Sequence, residues 1–407
     1  VADWTVELRD RVGGFLADVT TPFKVRRGRN ESAHVSFTVD HEDEVAYKLH
    51  DELTRGIPQV ACYRDEVLWA RGWWAPMDET AGQDTGVGMQ RDAPTNGMAC
   101  TFRGPFAELE NRSLRQFYAV RDMLAAKWDP ITADQADHVM SLAGMLTADE
   151  ATWDTGLFRG TVTASVTRDR LYEIRKNRAE AILQLTEVID GVELIERPVE
   201  QNVNSAGKAM LARLDAGGSG SFGAAKGLIF EGSDCESVKR TISRPVNWVY
   251  ALGGEYDDGG PQRRSATAID QASIDKYRLH ELTLDLPGVY YQATLTEHVN
   301  GELRPDPPQA ITFTPDASGS LQPQPDPARQ TSATYWLGDT VRLVVDRDAL
   351  QIDMTSRIRA IEVAVDADGN ESHALEIGDQ RPRPLVDMLR GVNRTQRGLA
   401  RQIDPGK

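Results

Sequence analysis

Two stretches of this chain, residues 227–286 and 335–380, consist of short alternating runs punctuated by Gly, Asp and Asn. A period of two gathers apolar atoms on one face of a strand but scatters them around a helix, so these stretches specify strands. The first opens with Leu228–Phe230 and continues as a polar run, Cys235–Ser243, and an aromatic-rich run, Asn247–Glu255. It turns at Gly253, Gly254, Asp257, Asp258, Gly259 and Gly260. A short helical segment, Asp270–Tyr277, and a strand, Leu279–Leu286, follow. The second stretch holds two or three strands joined by a turn at Gly369–Asn370. This layout predicts a β-barrel that sits in a ring rather than an enzyme pocket.

Residues 1–104 also read mostly as strands: Thr5–Arg9, Phe23–Arg27, Val35–Val39, Val67–Trp74 and 97–104. A helix interrupts them over Asp43–Leu53, where Val45, Leu49 and Leu53 share a face. Thr80–Thr95 is a polar loop. The pattern then changes. Helical segments are predicted from Pro105, a good first-turn residue, and over Ala119–Lys127, Thr132–Leu146 and Arg178–Ile189, before a strand at Gly191–Glu196. This middle third reads as an inserted mixed α/β domain. Residues 215–224, AGGSGSFGAA, read as a flexible loop. Residues 298–330 hold Pro305, Pro307, Pro308, Pro315, Pro323, Pro325 and Pro327, which predicts a long loop or extended excursion rather than a central strand. No internal repeat is visible, although two barrel halves can share a fold without sharing sequence.

At the C-terminus Leu385, Leu389, Val392, Gln396, Leu399 and Ile403 are spaced four, three, four, three and four, a heptad seam of about three repeats. Gln396 is its single polar position, of the kind that sets register or strand number. Gly391 and Gly398 lie off the seam, and each weakens a helix by ~1 kcal/mol relative to Ala. The helix is therefore marginal alone. It is predicted to self-associate, the other reading being an amphipathic helix packed on its own domain. Residues 381–407 carry six Arg and one Lys against two Asp, whereas the whole chain has a net charge of −16.

That acid excess argues against a DNA-holding protein, which carries a large basic surface. It fits a surface that a polyanion slides past, or simply a well-solvated one. Three cysteines, Cys62, Cys100 and Cys235, form no C-x-x-C pair and predict buried free thiols suited to a reducing cytoplasm. No apolar run reaches the ~18 residues of a membrane span, so a soluble chain is expected.

Signatures of chemistry are incomplete. Gly218–Gly223 matches G-x-G-x-x-G but precedes a strand-like run, and Lys226 is not followed by Ser or Thr. His41-Glu-Asp-Glu44 lacks a second histidine, and reads as the acidic start of a helix. The histidines, 34, 41, 50, 138, 280, 298 and 373, are scattered, and no G-x-S-x-G elbow occurs. Acid pairs such as Asp149/Glu150 and Asp257/Asp258 are expected by chance in so acidic a chain. Asp366–Glu371 has the oxygen-rich flavour of a calcium loop but falls where a hairpin turn is needed. Trp4, Trp69, Trp73, Trp74, Trp128, Trp153, Trp248 and Trp336 could stack on sugars, yet most lie in strand patterns that favour burial. The expectation is no catalytic residue, no metal, no cofactor and no enzyme.

The phrases NWVYALGGEYDDGG (247–260), DQASIDKYRLHELTLD (270–285) and LGDTVRLVV followed by MTSRIRAIEVAVDADG (337–369) resemble the tail-hub or minor tail proteins of long-tailed phages, siphophages of actinobacteria in particular. WTVELRDRVGGFLADVTTPFKVRRGRNESAHVSFTVD (4–40) is similar to their first strands. The resemblance implies a mainly β fold with an α+β insertion, comparable to the baseplate hub of contractile phages. Residues 1–104 with 227–268 would form a first tail-tube-like β-barrel, and 105–226 an inserted α/β domain. Residues 269–380 would form a second barrel, and 381–407 a C-terminal helix or coiled coil. It implies a homotrimeric structural protein of the virion, assembled in the host cytoplasm. At the tail tip it would join the sixfold tail tube to a threefold tip and close or line the DNA channel without specific DNA binding. A distal tail protein or the tail tube would lie above, and tip or fibre proteins below. The alternatives are a distal tail or receptor-binding protein that takes host surface glycans and, third, a cell-wall hydrolase. For the last, the 27 or so residues after the final strand leave no room for a lytic domain.

Overall fold

In a computed structural model of the chain, all residues are described except 1, 41, 76–96, 115–119, 123–126, 130, 145–154, 173–174, 187, 189, 204–208, 256–262, 287–288, 290, 317–320, 327–328, 348–349 and 379–407. The heptad seam, Leu385 to Ile403, lies outside the described residues.

The chain starts with β1 (Trp4–Arg9), β2 (Phe15–Asp18), β3 (Phe23–Gly28), β4 (His34–Asp40), α1 (Glu44–Arg55), β5 (Gln59–Arg64), β6 (Val67–Trp74) and β7 (Gly97–Arg103). Alternation drives these strands: in β4 Val35, Phe37 and Val39 are buried while Thr38 and Asp40 face water. Asp43 caps α1 by accepting from the Val45 N–H at 2.9 Å, the helix start expected there.

After a 3-10 turn (Pro105–Asn111) come β8 (Val120–Asp122), β9 (Lys127–Asp129), β10 (Ile131–Asp134), α2 (Gln135–Ala143), β11 (Leu157–Val162), β12 (Thr167–Arg170), α3 (Arg178–Thr186), β13 (Glu193–Val203) and β14 (Ala209–Gly217). The helix expected over 119–127 is instead the β8–β9 pair, in which Arg121 sits opposite Trp128. The 132–146 helix begins only at Gln135, because Asp134 turns in to accept from the Ala136 N–H, and it stops at Gly144 with φ +79°. Met140, Leu142, Ile182 and Leu185 give this region its own core.

The remainder holds β15 (Ala225–Glu231), β16 (Cys235–Ile242), β17 (Trp248–Glu255), β18 (Arg263–Ile269), α4 (Gln271–Tyr277), β19 (Glu281–Asp285), α5 (Gln292–Glu302), β20 (Gln309–Pro315), β21 (Gln322–Pro323), β22 (Thr334–Tyr335), β23 (Thr340–Arg347), β24 (Leu350–Val365) and β25 (Glu371–Ile377). A small α/β module, β17–β19 with α4 and α5, packs around Val249, Leu284, Leu295 and Val299. The proline-rich stretch is not one long loop. β20 lies inside it and pairs with β16 on one side and β25 on the other. Pro308 and Pro315 stand at or beyond its ends, so they remove no donor from its interior.

One ladder unites the two ends of the chain, in the order β16-β20-β25-β24-β3-β4-β7-β6-β5-β1-β2, with β23 joining β24 to β15. Within it a motif occurs twice. In the first unit β5–β6–β7–β4–β3 are successive antiparallel neighbours, and in the second β23–β24–β25–β20–β16 are. Chain order and pairing match strand for strand. The segment 225–242 hydrogen-bonds to β20 and β23, which differs from the expected grouping of 227–268 with 1–104. The units meet where β24, past its pairing with β23, pairs antiparallel with β3, Ala360 opposite Gly28 through Val365 opposite Phe23. One hydrophobic core runs through both, from Leu8, Val25 and Phe102 to Phe313, Ile361 and Leu375. The fold is mainly β with an α+β insertion, as expected. Among the described residues neither unit closes into a barrel by hydrogen bonds. β15 turns a corner through Gly232–Asp234 into β16 instead of pairing with it, so the sheet bends round its core and stays open.

Candidate functional site

The densest chemistry lies where the two units and the insertion meet. Trp69, fully buried, contacts the edge of Trp4 at 5.3 Å between ring centroids and that of Trp336 at 5.0 Å. Trp4 and Trp69 come from the first unit and Trp336 from the loop before β23. Arg27 stacks over Trp336 at 5.1 Å, and Arg64 over Trp69 at 5.7 Å.

Arg64 ties the units together. Its guanidinium grips Glu371 of β25 at 2.7 and 3.1 Å and donates to the Pro323 carbonyl at 3.0 Å. Trp4 Nε1 donates to the same carboxylate at 2.9 Å. Burial alone raises the Glu371 pKa, but hydrogen bonds from His373, Arg64 and Trp4 outweigh it and hold the carboxyl well below its usual range.

The insertion is fastened through β13. Glu193 binds Arg29 at 2.8 Å and Arg357 at 3.0 Å, linking both units to the insertion through one carboxylate. Asn30, at φ +57°, exchanges two hydrogen bonds with Leu194, at 3.0 and 2.8 Å. Glu196 is buried and accepts from the Phe106 N–H at 2.7 Å and the Ser32 hydroxyl at 3.3 Å. Arg27 donates to the Trp69 carbonyl at 2.9 Å and to the Glu196 carbonyl. Burial pushes the Glu196 carboxyl up to about 7 against the pull of those bonds and of Arg27. Burial also lowers Arg27 to about 10. Gly104 leaves room for that carboxylate, since a Cβ at that position would lie 1.9 Å from Glu196 Oε1 and the side chain would have to shift.

Such an arrangement can hold three bodies in one orientation. It offers no nucleophile–base pair, and among the described residues no cluster of His, Cys, Asp and Glu could hold a metal. All three cysteines are buried. Gly218–Gly223 is followed by β15, not a helix, and Gly223 (φ +91°) lies so close to Gly338 that a Cβ would overlap its carbonyl carbon. Lys226 pairs with Asp339 at 3.2 Å. Asp366 accepts from the Asp368 and Asn370 N–H groups, each at 2.9 Å, which makes the stretch a hairpin turn. Trp69 and Trp336 are buried and Trp4, Trp73, Trp74 and Trp248 half-buried, while Trp128 and Trp153 have no described side chains. A cleft between the insertion and the small module, lined by Arg170, Tyr172, Tyr291 and His298, measures about 10 Å³, room for about one water. No described helix is long and apolar enough to cross a membrane.

The arginine–carboxylate junction was not anticipated from sequence. Its signal is faint: arginines at core-facing strand positions, Arg27 between Val25 and the strand end, and Arg64 in a run that is otherwise apolar.

No family model and no curated protein matches the chain. Solved structures do. The tail protein from Neisseria meningitidis MC58 aligns over 93% of this chain and 97% of its own, at 12% identity and a TM-score of 0.51. The 43 kDa tail protein of prophage MuSo2 from Shewanella oneidensis aligns over 93% and 98%, at 12% identity and 0.49. Prophage tail protein gp18 from Listeria monocytogenes EGD-e aligns over 96% and 98%, at 11% identity and 0.47. The chain has the fold of the Neisseria tail protein over nearly the full length of both.

Proposed function

We propose that this chain is a structural protein of a phage tail, the hub at its tip, where three copies form a ring between the sixfold tube and a threefold tip. The observation that carries this reading is the duplicated unit. Two like units lie side by side in one rigid chain, so three chains present six of them. The tail-protein fold supports the setting. The net charge of −16 suits a channel that DNA passes without sticking. In this reading the insertion, residues 105–226, projects from the ring. Residues 381–407 gather as helices on the axis, with distal tail or tube proteins above and tip or fibre proteins below. No bond is made or broken. The junction fixes the angle between units, and the ring adapts one symmetry to another and closes or lines the channel.

The mass of the purified protein, by light scattering over a range of concentrations, tests this. Three chains support the hub. Six would indicate a distal tail ring, and one chain at all concentrations would overturn self-assembly. Leu389→Asp with Leu399→Asp is expected to weaken the three-chain species; an unchanged mass would remove the seam from the assembly.

A further inference from the structure

Where the insertion meets the small module, two arginines face one carboxylate. Arg168 and Arg170 of β12 are two residues apart, so they point to the same face of the strand. On α5, Thr294, Glu297 and His298 stand at helical spacing and share a face. Arg168 pairs with Glu297, so the arginine face of β12 looks at that face of α5.

Arg170 has no such partner. It is 3% exposed, and its Nη1 donates to the carbonyl of its own neighbour Asp169 at 3.1 Å. Its Nη2 is buried without a hydrogen-bond partner among the described residues. The Asp169 side chain points to the opposite face of the strand, is exposed, and takes the Thr132 hydroxyl at 2.5 Å. Burial lowers the Arg170 pKa and Arg168 adds to the fall, with Tyr172 and Asp169 pulling back only in part. A guanidinium nevertheless keeps its proton in a protein, so it cannot escape burial by becoming neutral. A buried charge left unpaired is strongly destabilising. A water can solvate that charge but does not balance it.

The cleft of about 10 Å³ described above lies beside Arg170. The Tyr172 hydroxyl donates to the Ala181 carbonyl of α3 at 3.2 Å, while Thr294 and His298 are buried on the opposite wall. Room for about one water excludes phosphate, sulfate and the carboxylate of an organic acid. A single halide-sized ion is the anion that fits, and chloride is the abundant one.

We propose that a chloride ion binds in this cleft, held by Arg170 of the insertion against the Thr294 and His298 face of α5. Charge then balances on this face, Arg168 with Glu297 and Arg170 with the ion, and the ion pins the insertion to the small module. The site does not depend on the ring.

Melting in sodium chloride and in sodium gluconate at equal ionic strength tests it, since gluconate is too large for the cleft. The unaltered protein should melt about 2 °C higher in chloride. Arg170→Met keeps the length of the side chain and removes its charge; it should melt at the same temperature in both salts. No difference for the unaltered protein, or an equal difference for Arg170→Met, overturns the site. Crystals of the unaltered protein soaked in bromide should show an anomalous peak within hydrogen-bond distance of the Arg170 guanidinium. A water there, or no peak, overturns the proposal, and this measurement decides should Arg170→Met fail to fold. Bromide at Arg170 without the difference in melting means an adventitious ion only, and also overturns it.

Discussion

The first and second units share a ladder, yet their edges are finished differently. The first unit adds β1 between β2 and β5, lays α1 beside β2, and gives β3 to β24. The second joins β15 directly to β23, hosts a whole α/β module between β16 and β20, and leaves the outer edge of β16 without a strand partner among the described residues. The same strand order thus tolerates insertions at loops, whereas its edges are where one unit can serve another. Edge groups must be paired or solvated, so what covers an edge decides whether a unit stands alone or builds an assembly.

The sharpest way to break this comparison is to ask whether the units unfold separately. Trp69→Ala removes a fully buried ring at the junction, and Phe313→Ala one inside the second unit. Each should cost about 3–5 kcal/mol in denaturant titrations. Both variants should still unfold in one transition, because one core spans the two units. Two separated transitions would make the units independent bodies.

Next in size is Glu371→Gln. It leaves the Arg64 guanidinium, 4% exposed, without its carboxylate and should cost on the order of 3 kcal/mol. Thermal melting reads it; a loss as small as that of a surface substitution would mean that the aromatic contacts alone hold the units.

A smaller effect comes from pH. Burial raises Glu31 and Glu196 from the ordinary carboxylate value of 4.5 to about 7. The folded chain therefore holds these protons more tightly than the unfolded one. Their contribution is complete below pH 4.5 and lost as pH rises through 7. Glu371 acts oppositely, contributing above 4.5 and losing that contribution as pH falls below it. Stability should drop by about 1 kcal/mol or more between pH 6 and pH 8.5. Glu196→Gln should flatten that drop; an unchanged slope would place the titration elsewhere. The smallest expectation is Asp353→Asn, which breaks an exposed pair with Arg342 at 2.7 Å and should leave the melting temperature unchanged.

Several elements were legible in the sequence because their causes are local. Alternation placed β3, β4 and β6, Asp43 announced α1, and the Asp366–Asn370 turn lay where a hairpin needed one. Proline density misled over 298–330, since it is the position of a proline relative to the ladder, not its frequency, that excludes a strand. Over 119–127 a helical composition yielded to the pairing of β8 with β9.

By itself the sequence determined the class of the protein: mainly strands, an inserted mixed region, an acidic surface and incomplete catalytic signatures. Periodicity, turn residues and charge are properties of neighbours along the chain. Only the tertiary structure decided that 225–242 pairs with 309–347, that the same ladder occurs twice, and that Arg27, Arg64 and Arg357 meet Glu193, Glu196 and Glu371. Those relations join residues separated by 67 positions, as for Ile242 and Gln309, up to 307, as for Arg64 and Glu371, and a repeated ladder can be filled by unrelated side chains of similar volume and pattern. No local signal carries them, because what they satisfy is the packing of three bodies around one buried junction.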